Sequence, residues 1–578
     1  MDYKDIYAFI KQEESAYGKP IQLEDGWNWS MKEHLRRSFL YKHSQFEEHN
    51  DDRDLRPFKN IVRPILNIQY RTEGFDVKDI ELYVDDPEIY FKSFLVKKFH
   101  ETWALENSLD TFIDELVESY VDYGGTLVRI GKEARPEVVD LRSLAFCDQV
   151  NLLASPFGIK HVLTPQELRE MEEWGKPANG ATISTEALIA LTKDKKNIDI
   201  YEIHGFLPRQ WLDGKEGSVM QIQVCGFYKN QEKEDVGVTL FKHKQPKLPF
   251  KFLSRDKVFG RGLGFGGVEE LFDSQVWTNY SEVQIAEMLQ HASKVLYKTT
   301  DPSFRAKNNL NDVSTGEVMT VMEGRDINQL DTSPRNLVVF TNALEQWERH
   351  AQQIGAAGEA LLGESPSSGT PFKLQELVTM EAKGLHKYRQ GKIAVFVDEI
   401  YREDILPHIA REIVKGKTFL SELSFDELQS VSDSVISKAE FDFQKEKILN
   451  GEEILPEETE RAKIQAGKQF SKGGNRKMIQ ILKDEFKNTP LKVRTNIAGK
   501  QKNLALLTDK IVNLLRQFIS TPQIRQDPEM IKLLNVILES SGMSPMMFGA
   551  SMTALPPQAG GTEPLKALGE SVREPVMA

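Results

Sequence analysis

The stretch VFGRGLGFGGVEELFDSQVWTN, residues 258–279, joins a glycine-rich turn to a helical pattern and decides how the chain is divided. Between Gly262 and Gly267 it spells G-x-G-x-x-G, the spacing of dinucleotide-binding loops. In that fold the glycines follow a buried parallel strand, and an acidic residue about 20 positions later holds the ribose. Here the preceding LPFKFLSRDK is polar, and Glu282 and Glu287 lie within the helical pattern itself. The pattern therefore favours a tight packing turn or hinge over a phosphate cradle.

The bulk composition is that of an ordinary soluble protein with several domains. The chain has 578 residues, of which 40% are hydrophobic and 28% are charged. Its two cysteines, Cys147 and Cys225, exclude a disulfide scaffold and a zinc ribbon and fit a reducing compartment. The N-terminus lacks an apolar signal-peptide core, and no run approaches about 18 apolar residues. We therefore expect neither a secretory signal nor a membrane association.

The charge balance argues against tight nucleic-acid binding by the chain as a whole. Its formal net charge is -13, whereas proteins that grip phosphates are usually basic. The exception is the basic run 461–502, which is a solvated face, a patch that pairs with an acidic neighbouring subunit, or a contact to DNA phosphates. Its few aromatic residues argue against stacking on single strands. The candidate contact residues are Lys468, Lys472, Arg476, Lys477, Lys492 and Arg494.

The motifs of catalysis and metal binding are missing from the sequence. No two of the 11 histidines are three or four residues apart, and neither H-E-x-x-H nor C-x-x-C occurs. No G-x-S-x-G elbow is present. The GKT at 416–418 lacks the upstream glycine of a P-loop, because position 411 is Arg411. We therefore expect no cofactor, no metal and no enzymatic activity.

The order of the segments predicts an α+β, helix-rich protein. Residues 57–257 alternate between helical and strand-like patterns, and Thr164, Pro165 and Glu167 form a capping-box signature. Residues 268–293 then run without glycine or proline, enough for a helix of about 39 Å. A turn-rich insert separates this helix from a second helical run, 342–362.

Helical patterns continue beyond the second run. A polar loop, GESPSSGTP, leads to a third helical run over 372–414, in which we expect breaks at Gly384, Gly391 and Pro407. Two amphipathic helices are predicted over 502–519 and 527–542. The remainder is a disorder-prone tail.

This succession resembles the portal protein of tailed double-stranded DNA bacteriophages over roughly residues 55–420. The likeness lies in the order of several fuzzy motifs, each of which is weak alone. In the glycine-rich start of the long helix, Leu271, Gln275 and Asn279 stand where the family has recurring Leu, Gln and Asn. The other stretches that carry the resemblance are FKNIVRPILNIQYRTEGFDVKDIELYVDD, DTFIDELVESYVDYGGTLVRI, EVVDLRSLAFCDQVNLLASPFGIKHVLTPQELREM and ALEQWERHAQQIGAAGEALLGESPSSGT.

The resemblance implies a division into wing, stem, clip and crown, assembled as a ring. The implied parts are an N-terminal helical segment (1–56), the wing (57–257), the first stem helix (258–293), the clip (294–341), the second stem helix (342–362), the tunnel loop (363–371), a wing helix (372–420), the crown side (421–550) and a disordered tail (551–578). The implied stem hinge comprises Gly260, Gly262, Gly264, Gly266 and Gly267. The implied channel loop comprises Ser365, Pro366, Ser367, Ser368, Gly369 and Thr370.

The function implied by the resemblance is that of a DNA conduit at one capsid vertex. Such a ring, commonly of twelve subunits, docks the terminase during packaging, retains the DNA and attaches the tail. Its expected partners are copies of itself, the terminase, head-tail adaptor or tail proteins, the major capsid and scaffold proteins, and duplex DNA held non-specifically. The expected location is the virion, after assembly in the host cytoplasm. One alternative is an enzyme that binds nucleotides or processes nucleic acids and uses residues 260–267. Another is a non-portal virion or scaffold protein with similar helices.

Overall fold

The computed structural model describes fifteen stretches of the chain, all within the compact unit Met1–Ala498. These are residues 3–47, 57–84, 99–192, 196–229, 235–293, 297–308, 320–325, 327–329, 336–357, 384–415, 436, 440, 443–450, 455–468 and 491–495.

Helices and antiparallel sheets both contribute to this unit, so the fold is mixed α and β. The helices are α1 (Tyr3–Tyr17), α2 (Met31–Lys42), α3 (Val62–Glu73), α4 (99–106), α5 (Leu109–Tyr123), α6 (Pro165–Glu170), α7 (Thr185–Leu191), α8 (Gln210–Asp213), α9 (Gly267–Ala292), α10 (Phe304–Lys307), α11 (Leu337–Ile354), α12 (Gly384–Ile400), α13 (Leu406–Lys415), α14 (443–449) and α15 (456–468). The strands are β1 (Ile21–Glu24), β2 (Trp27–Trp29), β3 (Ile80–Val84), β4 (Gly125–Ile130), β5 (Pro136–Val139), β6 (Leu144–Phe146), β7 (Phe157–Leu163), β8 (Ile198–Pro208), β9 (Ser218–Lys229), β10 (Asp235–Lys244), β11 (Phe250–Ser254), β12 (Tyr297–Thr299), β13 (Ile327–Gln329) and β14 (Leu491–Thr495).

Two sheets form the β part of the body. The larger has the strand order β10-β9-β8-β7-β6 and the smaller has the order β11-β4-β5, and every neighbouring pair is antiparallel. The central strands of the larger sheet are buried on both faces over much of their length, since Tyr201 and Ile203 pack into one core and Ile198 and Ile200 into another. The two-stranded pairs are β1-β2, β12-β13 and β3-β14.

The helices share a core of their own. Apolar side chains of α3, α5, α9 and α12 pack together, including Leu66, Leu116, Leu271 and Val397. A second core, around Phe146 and other residues, lies between the sheets and the N-terminal elements. The first residues of α9 thus start from the middle of the helical core.

The two longest paired helices run in opposite directions. α9 has 26 residues and α11 has 18. The end of α11 returns to the start of α9, since Gly355 approaches Leu271 and its carbonyl accepts a hydrogen bond from the Gln69 side chain at 3.2 Å. By connectivity, β12 and β13 therefore lie beyond the far end of this helix pair.

Several predictions from the sequence can be compared with these elements. The capping box is confirmed, since the Thr164 and Glu167 side chains each accept a hydrogen bond from the other's backbone N–H. The long helix begins and ends one residue earlier than expected. The break at Gly391 is wrong: α12 passes through it, because the packed apolar face outweighs the helix cost of one glycine, about 1 kcal/mol.

Two further helix predictions need correction. The break expected at Pro407 does not end the helix. The π-helical turn Tyr401–Ile405 joins α12 to α13, and Pro407 is the second residue of α13. The second helical run was predicted over 342–362, but α11 begins at Leu337, within the segment expected to belong to the turn-rich insert.

The N-terminal segment is also more varied than the continuous helical pattern predicts. A β-hairpin, β1-β2, separates α1 from α2. Its two-residue turn is Asp25-Gly26, with Gly26 at φ 81°. Asp-Gly is a strong hairpin signal, so the sequence carried the information. The predicted helices over 502–519 and 527–542 lie outside the described residues.

Candidate functional site: the glycine junction and the helix pair

The glycine-rich segment connects the antiparallel strand β11 to α9. Its backbone is bound to neighbouring loops rather than left open. The Gly264 N–H donates to the carbonyl of Gly124 at 3.0 Å, and the Gly262 N–H donates to that of Gln149 at 2.7 Å. Residue Asp256 pairs with Phe265 as an isolated β-bridge. The chain therefore turns between strand and helix against other backbone.

The closeness of these backbones explains why glycine is needed. A Cβ on Gly264 would stand 2.6 Å from the Asp256 carbonyl oxygen, and one on Gly266 would stand 2.5 Å from that of Asp122. A Cβ on Gly267 would meet the Gln69 side-chain oxygen at 2.4 Å. Only a residue without Cβ fits at such distances. The space next to these glycines is thus filled by protein.

The remaining two glycines of the junction differ from these three. Gly260 has φ 90°, in the left-handed region that L-residues rarely adopt. A Cβ on Gly262 would meet the Leu152 side chain at 2.6 Å. All five predicted hinge glycines are therefore placed in one turn, whereas their role as a hinge stays a prediction.

The first turn of α9 is occupied by charges of the wrong sign for a phosphate site. Glu269 and Glu270 lie there, where carboxylates are favoured by the helix dipole. Arg261 binds Glu269 through two nitrogens, both at 2.8 Å, and also donates to the Gly264 carbonyl at 3.1 Å. Because β11 is antiparallel and these carboxylates sit at the helix start, the junction lacks the features of a dinucleotide loop.

Beneath the junction lies a buried set of charged side chains, which we call the charge cluster. Its members are Glu73, Arg255, Asp256, Glu270, His386, Arg389 and Lys392. Arg255 is fully buried and binds Glu73 at 2.8 Å. Arg389 reaches Asp256 at 2.6 Å, Glu270 at 2.5 Å and Glu73 at 3.5 Å. The cluster therefore ties α3, the end of β11, the start of α9 and α12 together.

His386 connects this cluster to the end of α11. Its Nδ1 lies 3.0 Å from a Glu73 carboxylate oxygen, and its Nε2 lies 3.2 Å from the Ala356 carbonyl oxygen. Both partners are hydrogen-bond acceptors, so His386 links the Glu73 carboxylate on α3 to the backbone at the end of α11. Burial raises the pKa of Glu73, but the hydrogen bond from His386 and the charge of Arg255 outweigh it, so this pKa lies below its ordinary value.

The helix pair is held together by aromatic stacking and ion pairs. The rings of Trp277 on α9 and Trp347 on α11 stack with centroids 5.9 Å apart and planes 6° from parallel. Lys59 bridges both helices, with Glu348 at 2.6 Å and Glu282 at 3.6 Å. The pair thus forms one unit rather than two independent helices.

The Leu, Gln and Asn of the long helix all face inward. Leu271 is fully buried in the helical core. The Gln275 side chain accepts from the Ile61 N–H at 2.9 Å and donates to the Lys59 carbonyl at 2.7 Å. It also donates to Asn279 at 2.9 Å. These amides fix α9 against the segment that leads into α3.

A second buried charge lies between the two sheets. Glu202 on β8 accepts hydrogen bonds from both terminal nitrogens of Arg129 on β4, at 3.0 and 3.1 Å. It also faces His161 and His204, each at 2.9 Å. Burial raises the pKa of Glu202, but the hydrogen bonds from His161 and His204 and the charge of Arg129 hold it well below its ordinary range. This carboxylate couples the two sheets.

The other predicted site residues are placed only in part. The channel loop Ser365–Thr370 lies outside the described residues, as do Lys472, Arg476 and Lys477. Lys468 is exposed at the last described position of α15. Lys492 and Arg494 lie in β14, opposite Tyr83 and Glu81 of β3. Three of the six basic positions thus lie outside the described residues, and the contact role of all six stays a prediction.

Sequence reasoning missed the charge cluster and the Glu202 site. Glu73 and His386 form a hydrogen bond although they are 313 residues apart, and Arg129 and Glu202 do so at a separation of 73, so no local spacing connects them. One weak signal exists, since Glu202 and His204 are polar residues inside an otherwise apolar strand. Within the described residues, no group of three or more His, Cys, Asp or Glu side chains is arranged to hold a metal ion.

Two further features concern the cysteines and the membrane. Cys147 and Cys225 are both free and buried, and burial raises the pKa of each thiol to about 12. Neither is therefore poised as a nucleophile. Among the helices that the structure describes, none has both the length and the apolarity needed to span a membrane.

We compared the chain with protein families, with curated proteins and with solved structures. No protein-family model and no curated protein matches the chain. Among solved structures, the chain is similar to one from a virion of a native gene transfer agent (GTA) particle, with 10% sequence identity and a TM-score of 0.29. That match covers 76% of this chain and 96% of the other chain.

Proposed function

We propose that this chain is a phage-type portal protein, the subunit of a ring that conducts duplex DNA through one capsid vertex. The observation that carries the proposal is the antiparallel pair α9 and α11, which starts and ends in the helical core and holds β12 and β13 at its far end. This is the arrangement expected of a stem that carries a clip. The protein acts as a structural conduit rather than as an enzyme.

The exposed surface of the helix pair supports assembly with further copies. Leu289 on α9 and Val338 and Val339 on α11 are all exposed in the single chain. Apolar groups concentrated on a long helix pair are typical of interaction surfaces. A closed ring covers such surfaces by repeating one heterologous contact.

The net charge also suits a passage for DNA. Duplex DNA carries about one negative charge per 1.7 Å, and each neutralised phosphate adds salt-dependent affinity. A chain with a formal charge of -13 lacks the basic excess that would trap the duplex. A ring of such chains lets DNA slide.

The proposal extends to partners and location. The ring resides at the portal vertex of the virion after assembly in the host cytoplasm. It docks the terminase during packaging, retains the genome, and joins head-tail adaptor or tail proteins. Capsid and scaffold proteins are its neighbours in the shell.

Native mass spectrometry of the purified protein, at low and high salt, tests the proposal. We expect one discrete closed oligomer near twelve copies, with a central hole in negative-stain electron microscopy. A chain that stays monomeric in every buffer and also when produced together with its scaffold protein would contradict the portal proposal.

A further inference from the structure

On the exposed side of α9, two aromatic side chains lie between two acidic residues. Trp277 is 48% exposed and Tyr280 is 51% exposed, and both lie on the helix face that also bears Asp273 and Glu287. Neither acid forms an ion pair with any residue in the described ranges. We call these four residues the α9 stripe. It combines an apolar centre with negative ends.

The exposed side of α12 carries lysines, and the one carboxylate among the described residues that line the same surface, Glu399, is paired with Lys251 at 3.4 Å. A groove of about 550 Å³ lies between this helix and β11. Tyr388 and Val395, which are 63% and 70% exposed, form its outer wall. Lys387 lines it without an ion-pair partner in the part of the chain that is described, and the Lys392 ammonium lies 4.6 Å from the Tyr388 ring centre. We call this surface the α12 groove.

The two surfaces belong to different parts of the body. α3 packs against both α9 and α12, and the α9 stripe and the α12 groove share no residue. Two different, complementary surfaces on one chain define a heterologous contact, which repeats from copy to copy until the ring closes. Opposite charge at such a contact selects the partner and fixes the register.

We infer that the α9 stripe of one copy docks in the α12 groove of the next copy. Trp277 and Tyr280 then cover Tyr388 and Val395, while the acids of the stripe meet Lys387. The acids make the stripe a poor match for DNA phosphates, which favours protein as its occupant. The inference rests on the proposed ring and adds which surfaces of neighbouring chains meet.

Charge exchange tests the contact in the full-length chain. Asp273→Lys alone places two positive groups face to face, and Lys387→Glu alone places two negative groups together. Each is expected to raise the protein concentration needed for half assembly at least about tenfold, because juxtaposed like charges are costly. The double variant Asp273→Lys/Lys387→Glu restores the opposite-charge pair. It should assemble within about threefold of the wild type.

Two further variants complete the test. Tyr280→Ala, which leaves the Trp277–Trp347 stack in place, should weaken assembly without changing the far-ultraviolet circular dichroism of the chain. Lys244→Glu reverses an exposed charge on β10, away from both surfaces, and serves as the control that leaves assembly unchanged. Native mass spectrometry across a dilution series measures the assembled fraction of the wild type and of the five variants.

The outcomes separate this inference from the proposed function. Rings that form equally well in every variant would overturn the docking contact and leave the portal proposal standing. Weakened single variants without recovery in the double variant would also overturn it, since the two charges would then meet other groups. A wild-type chain that never assembles would overturn both.

Discussion

At the scale of single residues, the glycine junction makes the sharpest prediction. Gly264→Ala places a methyl group 2.6 Å from the Asp256 carbonyl oxygen, and its three nearest neighbours are all backbone atoms of Asp256, which cannot rotate away as a side chain could. Overpacking of this kind costs about 1–3 kcal/mol, and we expect that loss in the free energy of unfolding measured with urea. Gly18→Ala is the control, because its nearest neighbour would be 3.5 Å away. Equal stability of the two variants would contradict the packing argument.

The buried carboxylate of Glu202 leads us to expect that the free energy of unfolding decreases at acidic pH. Glu202→Gln removes the charge that Arg129, His161 and His204 share, and breaking such a buried pair costs about 3 kcal/mol. Because the folded pKa lies below the ordinary 4.5, the carboxylate stabilises the fold above that pH and this stability is lost as the pH falls below it. Urea midpoints at several pH values should therefore show a decline in the wild type that is reduced in the variant.

The control for Glu202 is an exposed ion pair. Glu186→Gln removes the partner of Arg169, and exposed pairs contribute about 0–1 kcal/mol. This variant should keep both the stability and the acid decline of the wild type. A Glu202→Gln protein that behaves like Glu186→Gln would show that the buried carboxylate does not couple the sheets.

How far single residues could be predicted depends on the range of their contacts. Thr164 and Glu167 are three residues apart, so the sequence alone predicted their capping box. The glycines could be recognised as a turn because their spacing and the polar stretch before them are local. Arg255 and Arg389 could not be recognised as partners of one carboxylate, since only the packed helices bring them together.

At the scale of elements, the charge cluster fixes the start of α9 to α12. Arg389→Met removes the guanidinium that contacts Glu73, Asp256 and Glu270 at once, whereas Arg255 still contacts Glu73 and Glu270. Removing one member of a buried network costs about 3–5 kcal/mol, and we expect a loss of this size in urea unfolding. The matched control is Arg402→Met, which removes an exposed pair with Asp398 at 2.8 Å. A small loss at Arg389 would mean that the cluster does not secure these helices.

Long helices were the elements that the sequence predicted best. The periodic run that forms α9 was placed within one residue at both ends, because neither glycine nor proline interrupts it. The start of α11 and the continuity of α12 at Gly391 were missed. At Gly391, packing of α12 against other elements overrides the weak helix preference of one glycine, which spacing along the chain does not reveal.

At the scale of the whole molecule, buried histidines predict sensitivity to mild acid. Burial lowers the pKa of His100 from 6.5 to about 4, and burial also lowers the pKa of His34. As the pH falls below 6.5, the unfolded chain takes up these protons before the folded chain does. The folded state is therefore progressively disfavoured between about pH 6.5 and 4. For His100 the loss amounts to on the order of 3 kcal/mol at about 1.4 kcal/mol per unit.

Substitution of one histidine separates this effect from the titration of carboxylates. His100→Gln removes the group that titrates and keeps a polar side chain beside the Tyr401 hydroxyl, which lies 2.8 Å from the His100 ring. We expect the difference between urea midpoints at about pH 7 and about pH 4.5 to shrink in this variant. His291→Gln, at an exposed position of α9, should leave the difference unchanged. If His100→Gln retains the full difference, the acid sensitivity arises elsewhere, and the carboxylates of Glu73 and Glu202 become the groups to replace.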